Sequence, residues 1–154
     1  MKYWKILVLS CWLLLCGRLS CNIKNFGDRR MITGLDHIAI IVSAEKCLSF
    51  YEQLGFRETK RIQRNYDEVI FMRKSEITLE IFVDKNHPKH IKNPEAMGLR
   101  HIALSVNDLR NTIEELKNKG IKAEPVRQDW FGRNLTFIYD PDEQPIELIE
   151  NIND

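Results

Sequence analysis

A seven-residue pattern occurs twice in this chain of 154 residues, and it constrains the fold more than any other feature. Residues 34–40 read Gly-Leu-Asp-His-Ile-Ala-Ile, and 64 positions later residues 98–104 read Gly-Leu-Arg-His-Ile-Ala-Leu. The similarity continues through residues 43–55 and 107–120, with one residue inserted, and both stretches end in a glycine. A chain that repeats itself over this length is expected to fold as two copies of one supersecondary unit.

Each half of the repeat predicts the same order of elements, namely strand, helix and three strands. Apolar, β-branched runs predict strands over 37–42, 56–63, 68–72 and 77–83 in the first half and over 101–106, 123–127, 135–139 and 146–150 in the second. Apolar residues at helical spacing predict helices over 44–54 and 109–119, with Asp108 as the N-cap of the second and Gly55 and Gly120 after the ends. Residues 84–97, which contain two prolines, are predicted to link the halves.

The unit with four strands and one helix is too small to bury a sheet face alone, whereas two copies can do so together. We therefore predict an α+β fold in which two tandem βαβββ modules, at about 34–83 and 98–150, form a cupped mixed sheet with the helices outside.

The first thirty residues differ in composition from the rest of the chain. They hold six basic residues and one acidic residue, a net charge of +5, whereas residues 31–154 carry −4. The basic start followed by an almost wholly apolar run at 6–16 resembles a signal or anchor segment, and the run is short for a bilayer span. Alternatively, because Met31 follows two arginines, residues 1–30 are an upstream extension outside the translated protein. The first interpretation predicts a membrane-anchored or secreted protein, and the second predicts a cytoplasmic one.

The overall balance of charge argues against one class of partner. The whole chain has a net charge of +1, and the predicted domain at 31–154 is mildly acidic. A nucleic-acid-binding domain is ordinarily strongly basic. We therefore predict no nucleic-acid partner.

One histidine near the start and one glutamate near the end of each half stand at matching positions. These residues are His37 and Glu80 in the first half and His101 and Glu147 in the second. A carboxylate among apolar strand residues is costly to bury unless it is paired or bound to a metal. Taken singly, each glutamate could face solvent and each histidine could be structural. Together they predict one shared site of two imidazoles and two carboxylates, a set that suits Zn, Ni, Co, Fe or Mn.

Four further residues are candidates for contact with a substrate: Arg100, Trp130, Phe131 and Arg133. Arg100 adjoins His101. The other three lie in segment 128–133, where aromatic rings and a cation flank a glycine. The segment is either a lid over the site or a hairpin loop packed on the sheet. Arg133 is suited to a substrate carboxylate or phosphate. His87 and His90 in the linker are predicted at the surface, and Cys47 is predicted to be a buried apolar residue of its helix.

Taken together, these motifs resemble the vicinal oxygen chelate superfamily, in its glyoxalase I-like branch. The matching segments cover about 31–150 and include Gly-Leu-Asp-His-Ile-Ala at 34–39, Leu-Glu-Ile at 79–81, Gly-Leu-Arg-His-Ile-Ala at 98–103, Asp-Pro-Asp at 140–142 and Pro-Ile-Glu-Leu at 145–148. The resemblance implies that His37, Glu80, His101 and Glu147 are the metal ligands. It also implies a small-molecule substrate and a homodimer.

The resemblance further implies a lactoylglutathione lyase-like activity. In this hypothesis a divalent metal, Zn or Ni before Co, Mn or Fe, stabilises an enediolate of a small oxygenated substrate, and Glu80 or Glu147 moves the proton. The arginine and the asparagine that contact glutathione in glyoxalase I are replaced by Ile41 and Asp84. These departures count against glutathione binding, and the identity of the thiol stays open. Two alternatives stay open, namely an extradiol-type dioxygenase and a non-enzymatic protein that binds a small molecule or drug and confers resistance.

Overall fold

A computed structural model describes residues 32–88, 90–91 and 94–151 of the chain. The segment 1–30, predicted as a leader or upstream extension, and Met31 lie outside the described residues. Contacts divide the chain into two units, Met1–Gly34 and Leu35–Asp154, and the fold below is that of the second. Within the described ranges, no helix is long and apolar enough to cross a membrane.

The two modules have the predicted order of elements. The first comprises β1 (Ile38–Val42), α1 (Lys46–Gln53), β2 (Arg57–Gln63), β3 (Glu68–Lys74) and β4 (Ile77–Val83). The second comprises β5 (Ile102–Val106), α2 (Leu109–Asn118), β6 (Arg127–Gln128), β7 (Asn134–Tyr139) and β8 (Pro145–Glu150). The prediction of tandem βαβββ modules in an α+β fold is therefore confirmed.

Each module forms its own four-stranded mixed sheet. The strand orders are β1-β4-β3-β2 and β5-β8-β7-β6, so the repeat in sequence is also a repeat in topology. β1 runs parallel to β4 and β5 runs parallel to β8, and the remaining neighbours are antiparallel. β1 and β5 lie at the edges of their sheets, a position that matters for the site below.

The strand predicted over 123–127 is wrong for most of its length, because β6 contains only Arg127 and Gln128. The cause is Pro125, which has no N–H to donate to a sheet ladder. The segment before β6 still follows β7, since the Glu124 N–H donates to the Phe137 carbonyl (2.9 Å) and the Thr136 hydroxyl donates to the Glu124 carbonyl (2.7 Å).

The helix ends agree with their predicted signals. The side chain of Asp108 accepts a hydrogen bond from the Asn111 N–H at 2.8 Å, so it is the N-cap of α2. Gly55 and Gly120 follow the two helices with φ of 97° and 79°. This is the left-handed conformation that glycine adopts readily and that closes many helices.

The hydrophobic core is one cluster shared by both modules. It includes Val42, Tyr51 and Ile81 of the first module and Ile138 and Leu148 of the second. Strand alternation sends one face of each sheet toward this core and leaves the other face more exposed. Cys47, on α1, is completely buried, as predicted.

A turn of the second module binds residues at the start of the first helix of the first module. α1 has no side-chain cap of its own. Instead Asp142, in the turn between β7 and β8, accepts hydrogen bonds from the Ser43 N–H (2.5 Å), the Ser43 hydroxyl (2.6 Å) and the Cys47 thiol (3.2 Å). Burial opposes the charged form of Asp142, but these hydrogen bonds outweigh it and lower the pKa of that carboxyl.

The same turn carries a second aspartate that is more deeply buried. Asp140 accepts a hydrogen bond from the Tyr51 hydroxyl at 2.8 Å and others from the N–H groups of Asp142 and Gln144. Burial raises the pKa of Asp140 and also raises the pKa of Tyr51. The two modules are thus joined by buried polar contacts as well as by the apolar core.

Candidate functional site

Glu80 lies on the exposed face of the first sheet with a defined pair of neighbours. Its register partners are Ala39 on β1 and Phe71 on β3, and all three side chains stand on one face. The residues that flank it, Leu79 and Ile81, point the other way and are buried. A small side chain on one side and a flat ring on the other leave the carboxylate accessible from above the sheet.

His37 stands beside Glu80 just before β1 begins. Its Nε2 lies 3.1 Å from Glu80 Oε2, and its Nδ1 lies 2.8 Å from Asp36 Oδ2. The hydrogen bond with Asp36, and secondarily the charge of Glu80, raise the pKa of His37. A carboxylate on Nδ1 is a common means of orienting a histidine whose Nε2 binds a metal.

The second module builds the same pair in the same register. Glu147 has Ala103 and Phe137 as its cross-strand neighbours, and its Oε2 lies 2.7 Å from His101 Nε2. Glu147 is more enclosed than Glu80, with a side chain 12% exposed instead of 21%.

The orientation of the second histidine differs from that of the first. The residue before His101 is Arg100 where the first module has Asp36. Instead of a carboxylate on Nδ1, the ring of Phe137 meets His101 edge to face, with 5.2 Å between ring centroids.

Each pair by itself supplies half of the predicted ligand set. Among the residues that the model describes, no group of three or more His, Cys, Asp or Glu side chains is close enough to hold one metal ion. A structural or catalytic metal needs at least three protein ligands in most sites. The chemistry of the donors fits a divalent metal, since imidazole and carboxylate face each other in both pairs, but their number within one chain does not.

A cavity of about 330 Å³ opens beside the second pair. Its lining includes His101, Arg100, Phe137, Arg127 and Tyr139. Arg100 lies beside His101 in this cavity, and its Nε donates a hydrogen bond to Glu95 Oε1 at 3.2 Å. A volume of this size suits a small organic molecule.

The other three predicted substrate contacts are at the tip between β6 and β7. Trp130 and Phe131 are 99% and 77% exposed, and neither lines the cavity beside His101. Asp129 holds the turn by accepting hydrogen bonds from the Phe131 N–H, the Arg133 N–H and Arg133 Nε. These contacts favour an ordered hairpin turn over a flexible lid, and a role of the three residues in substrate binding stays a prediction.

The linker histidines differ in exposure. His87 is half exposed, with Nε2 3.2 Å from Asp84 Oδ2. His90 is half-buried and lines the cavity beside His101.

Three residues that line the cavity beside His101 were not among the site residues predicted from the sequence: Glu124, Arg127 and Tyr139. The Arg127 guanidinium lies 5.3 Å from the Phe137 ring centroid, and Glu124 contacts both Arg127 and the Tyr139 hydroxyl. The repeat does contain a signal for the aromatic ring in this cavity. Phe71 precedes Glu80, and Phe137 precedes Glu147, at almost equal distances in the sequence. The partners of Phe137, however, depend on how the irregular segment before β6 lies against β7.

Known proteins share the sequence pattern and the fold of this chain. Residues 34–148 match the model of the Glyoxalase/Bleomycin resistance protein/Dioxygenase superfamily. The chain is 39% identical over 126 residues to YwkD of Bacillus subtilis (strain 168), which spans 78% of this chain and 98% of that protein. A glyoxalase family protein from Enterococcus faecalis superimposes with a TM-score of 0.74 at 35% identity, over 77% of this chain and 98% of the other.

A more distant structure shares the fold alone. A mutant of the fosfomycin resistance protein FosX from Listeria monocytogenes, solved in complex with Mn(II) and dihydroxypropylphosphonic acid, superimposes with a TM-score of 0.64 at 21% identity. The match covers 79% of this chain and 95% of that one.

Proposed function

This chain belongs to the Glyoxalase/Bleomycin resistance protein/Dioxygenase superfamily, and from its two matched His–Glu pairs we propose that it is a metal-dependent lyase or isomerase of the glyoxalase I kind. The observation that carries the proposal is the equal register of the pairs: each glutamate has an alanine and a phenylalanine as cross-strand neighbours and a histidine within 3.1 Å. Two carboxylates in the set allow one to act as a base while three groups remain as ligands.

The ligands proposed for a divalent metal are His37, Glu80, His101 and Glu147. Zn or Ni is the expected metal, with Co, Mn and Fe as alternatives, and Mn(II) in the distant FosX structure supports a divalent cation in this fold. When bound, such a cation polarises a substrate carbonyl and stabilises the negative charge that develops on its oxygen.

The protein's own part in the reaction is to move the carbon-bound proton. Glu80 or Glu147 takes this proton from the carbon that bears the hydroxyl and returns it to the carbonyl carbon. The hydroxyl proton moves to the former carbonyl oxygen, so an α-hydroxycarbonyl compound becomes its isomer. Phe71 and Phe137 stand beside the two carboxylates, one in each module.

A second copy of the chain would complete the ligand set. Both pairs lie next to an edge strand, β1 or β5, and among the described residues no strand pairs with its outer side. Exposed apolar side chains precede these two strands: Leu35, Met97 and Leu99 are 79%, 104% and 68% exposed. An unpaired edge with apolar neighbours favours association. We therefore propose a homodimer in which β1 of one protomer lies beside β5 of the other, so that two complete sites form.

The proposal is tested by metal analysis followed by a hemithioacetal assay. Protein purified without added metal is expected to contain one divalent ion per chain, and the His101→Ala variant is expected to lose it. Isomerase activity is then measured on hemithioacetals of methylglyoxal with several thiols, because the replaced glutathione contacts argue against a single thiol. Arg110→Ala, an exposed change on α2, is the matched control.

The outcomes separate the three hypotheses. Isomerisation that requires the bound metal supports the proposal. Iron content with oxygen uptake on catechols would instead identify a dioxygenase, and tight binding of a small molecule without turnover would identify a binding protein. Normal metal content in all four ligand variants would refute the site itself.

A further inference from the structure

We propose that Arg127 anchors a carboxylate group of the substrate, so that the protein acts on anionic small molecules. The inference rests on the proposed function, because it takes the site at His101 and Glu147 to be where the substrate reacts.

The position of Arg127 connects it to the predicted metal ligands through one aromatic ring. Phe137 is the cross-strand neighbour of Glu147 and touches His101. The guanidinium of Arg127 lies over the same ring, 5.3 Å from its centroid. A group bound by Arg127 in this cavity would therefore be about one ring away from the reacting atoms.

Some N–H donors of the Arg127 guanidinium are available to bind a ligand. Its Nη2 donates to Glu124 Oε2 at 3.0 Å, and in the described parts of the chain Nε and Nη1 form no hydrogen bond. Stacking on a ring keeps a guanidinium flat while its N–H groups point outward in the plane, which is the arrangement that a planar carboxylate matches.

Glu124 contacts both Arg127 and Tyr139 and so helps to position the guanidinium. Its Oε2 binds Arg127 and its Oε1 accepts a hydrogen bond from the Tyr139 hydroxyl at 2.6 Å. The ion pair is partly exposed, with the Arg127 side chain 56% accessible and Glu124 36%. Such a pair contributes little to stability, so it can adjust when an anion enters.

Three other arginines differ from Arg127 in contacts or in place. Arg64 uses two guanidinium nitrogens, Nε and Nη2, on Asp67. Arg133 contacts Asp129 through its Nε and its backbone N–H and does not line the cavity beside His101. Arg100 lines that cavity and contacts Glu95 through Nε, whereas the guanidinium of Arg127 lies over the Phe137 ring.

The test compares two probes that differ in one group. Lactate and propane-1,2-diol have the same three-carbon skeleton and the same central hydroxyl, but only lactate carries a carboxylate. Binding of each probe to the full chain is followed by NMR through the side-chain Nε–H signals of arginine. We expect lactate to bind about tenfold more tightly than the diol and to shift the signal that is missing in Arg127→Lys.

Two substitutions make the test specific. In Arg127→Gln the preference for lactate is expected to vanish, whereas in Arg110→Gln, an exposed change on α2, it is expected to persist. Arg127→Lys keeps the charge but not the flat fork, and should retain a reduced preference if the glutamine variant fails to fold. Equal binding of the two probes to the wild type, or lactate binding that survives Arg127→Gln, would overturn the proposal.

Failure of the proposed function would look different. A chain that binds lactate through Arg127 but isomerises no hemithioacetal would keep the anion site and lose the isomerase assignment. If the wild type and Arg127→Gln both isomerise neutral and anionic hemithioacetals with equal KM, the isomerase assignment stands and the anion site is refuted.

Discussion

At the scale of single residues, the two halves of the site are similar in ligands but different in support. Asp36 holds the first histidine through Nδ1, whereas an aromatic edge contacts the second. A hydrogen-bonded carboxylate makes an imidazole a better ligand. His37 and His101 are therefore not equivalent, although the repeat makes them look so.

The two glutamates can be told apart by conservative substitution. If one is the base, its change to glutamine removes the proton acceptor but keeps an oxygen ligand. We expect either Glu80→Gln or Glu147→Gln to lower kcat by about 10²- to 10⁴-fold with the metal retained, and the other variant to have a smaller effect. The control is Glu76→Gln, an exposed glutamate in the turn before β4. Equal kcat in both site variants and the wild type would contradict a carboxylate base.

The single cysteine of the described residues is expected to be unreactive. Cys47 is completely buried, and burial, aided by the hydrogen bond to Asp142, raises its pKa to about 11. Because the thiolate is the reactive form, iodoacetamide at pH 8 should leave Cys47 unmodified in the native full chain and alkylate it after unfolding in guanidinium. Mass spectrometry of the peptide that contains Cys47 measures both. Rapid alkylation of the native protein would show that α1 opens readily.

At the scale of elements, the turn between β7 and β8 does more than reverse the chain. Its Asp142 accepts hydrogen bonds from Ser43, just before α1, and its Asp140 accepts one from the buried Tyr51 hydroxyl. Both contacts cross from one module to the other. The Asp-Pro-Asp motif therefore helps to fix the relative position of the modules, and with it the spacing of the two His–Glu pairs.

Loss of the hydrogen bonds to Asp142 should destabilise the fold. In Asp142→Ala the Ser43 N–H and hydroxyl lose their acceptor, and we expect the free energy of unfolding to fall by about 1–3 kcal/mol. Chemical denaturation measures the change. Glu114→Ala on the exposed face of α2 is the control and should shift stability by less than about 0.5 kcal/mol. Equal stability of the two variants would refute a stabilising role of these hydrogen bonds.

The same variant predicts a pH dependence with a defined sign. The pKa of Asp142 is lowered in the folded protein, so its charged form stabilises the fold above the usual pKa of an aspartate. That contribution is lost as the pH falls through the lowered value. The difference in stability between the wild type and Asp142→Ala should therefore be constant near neutral pH and shrink in strong acid. A difference that grows in acid would contradict the assignment.

At the scale of the whole molecule, the separation of the two pairs has a direct test. If each site takes one pair from each protomer, a mixture of His37→Ala and His101→Ala chains forms heterodimers with one intact site. At equal amounts, after exchange of subunits, half of the dimers are mixed, and activity and metal content should return to about a quarter of the wild-type values. Each variant alone should be inactive.

The mixing experiment also defines the opposite result. If both pairs served one site within a single chain, every chain in the mixture would lack a ligand and no activity would return. A mixture of His37→Ala with His37→Ala,His101→Ala is the matched control and should remain inactive in either case.

The sequence by itself determined the repeat, the order of the elements and the matched positions of the four predicted ligands. It could do so because strand alternation, helical spacing and capping residues are local properties, and a repeated local pattern implies a repeated module. The short β6 was the exception. A strand was predicted over 123–127 from its apolar residues, although this segment contains Pro125.

Only the tertiary structure decided what each residue meets. Arg127 lies over the Phe137 ring, and Asp142 contacts Cys47, which is 95 residues earlier in the chain. Both contacts follow from strand register and from the packing of the modules on a shared core. The separation of the His–Glu pairs also depends on that packing, which leaves β1 and β5 at the edges of two sheets. Contacts of this kind join distant residues through geometry, and no local pattern in the sequence specifies them.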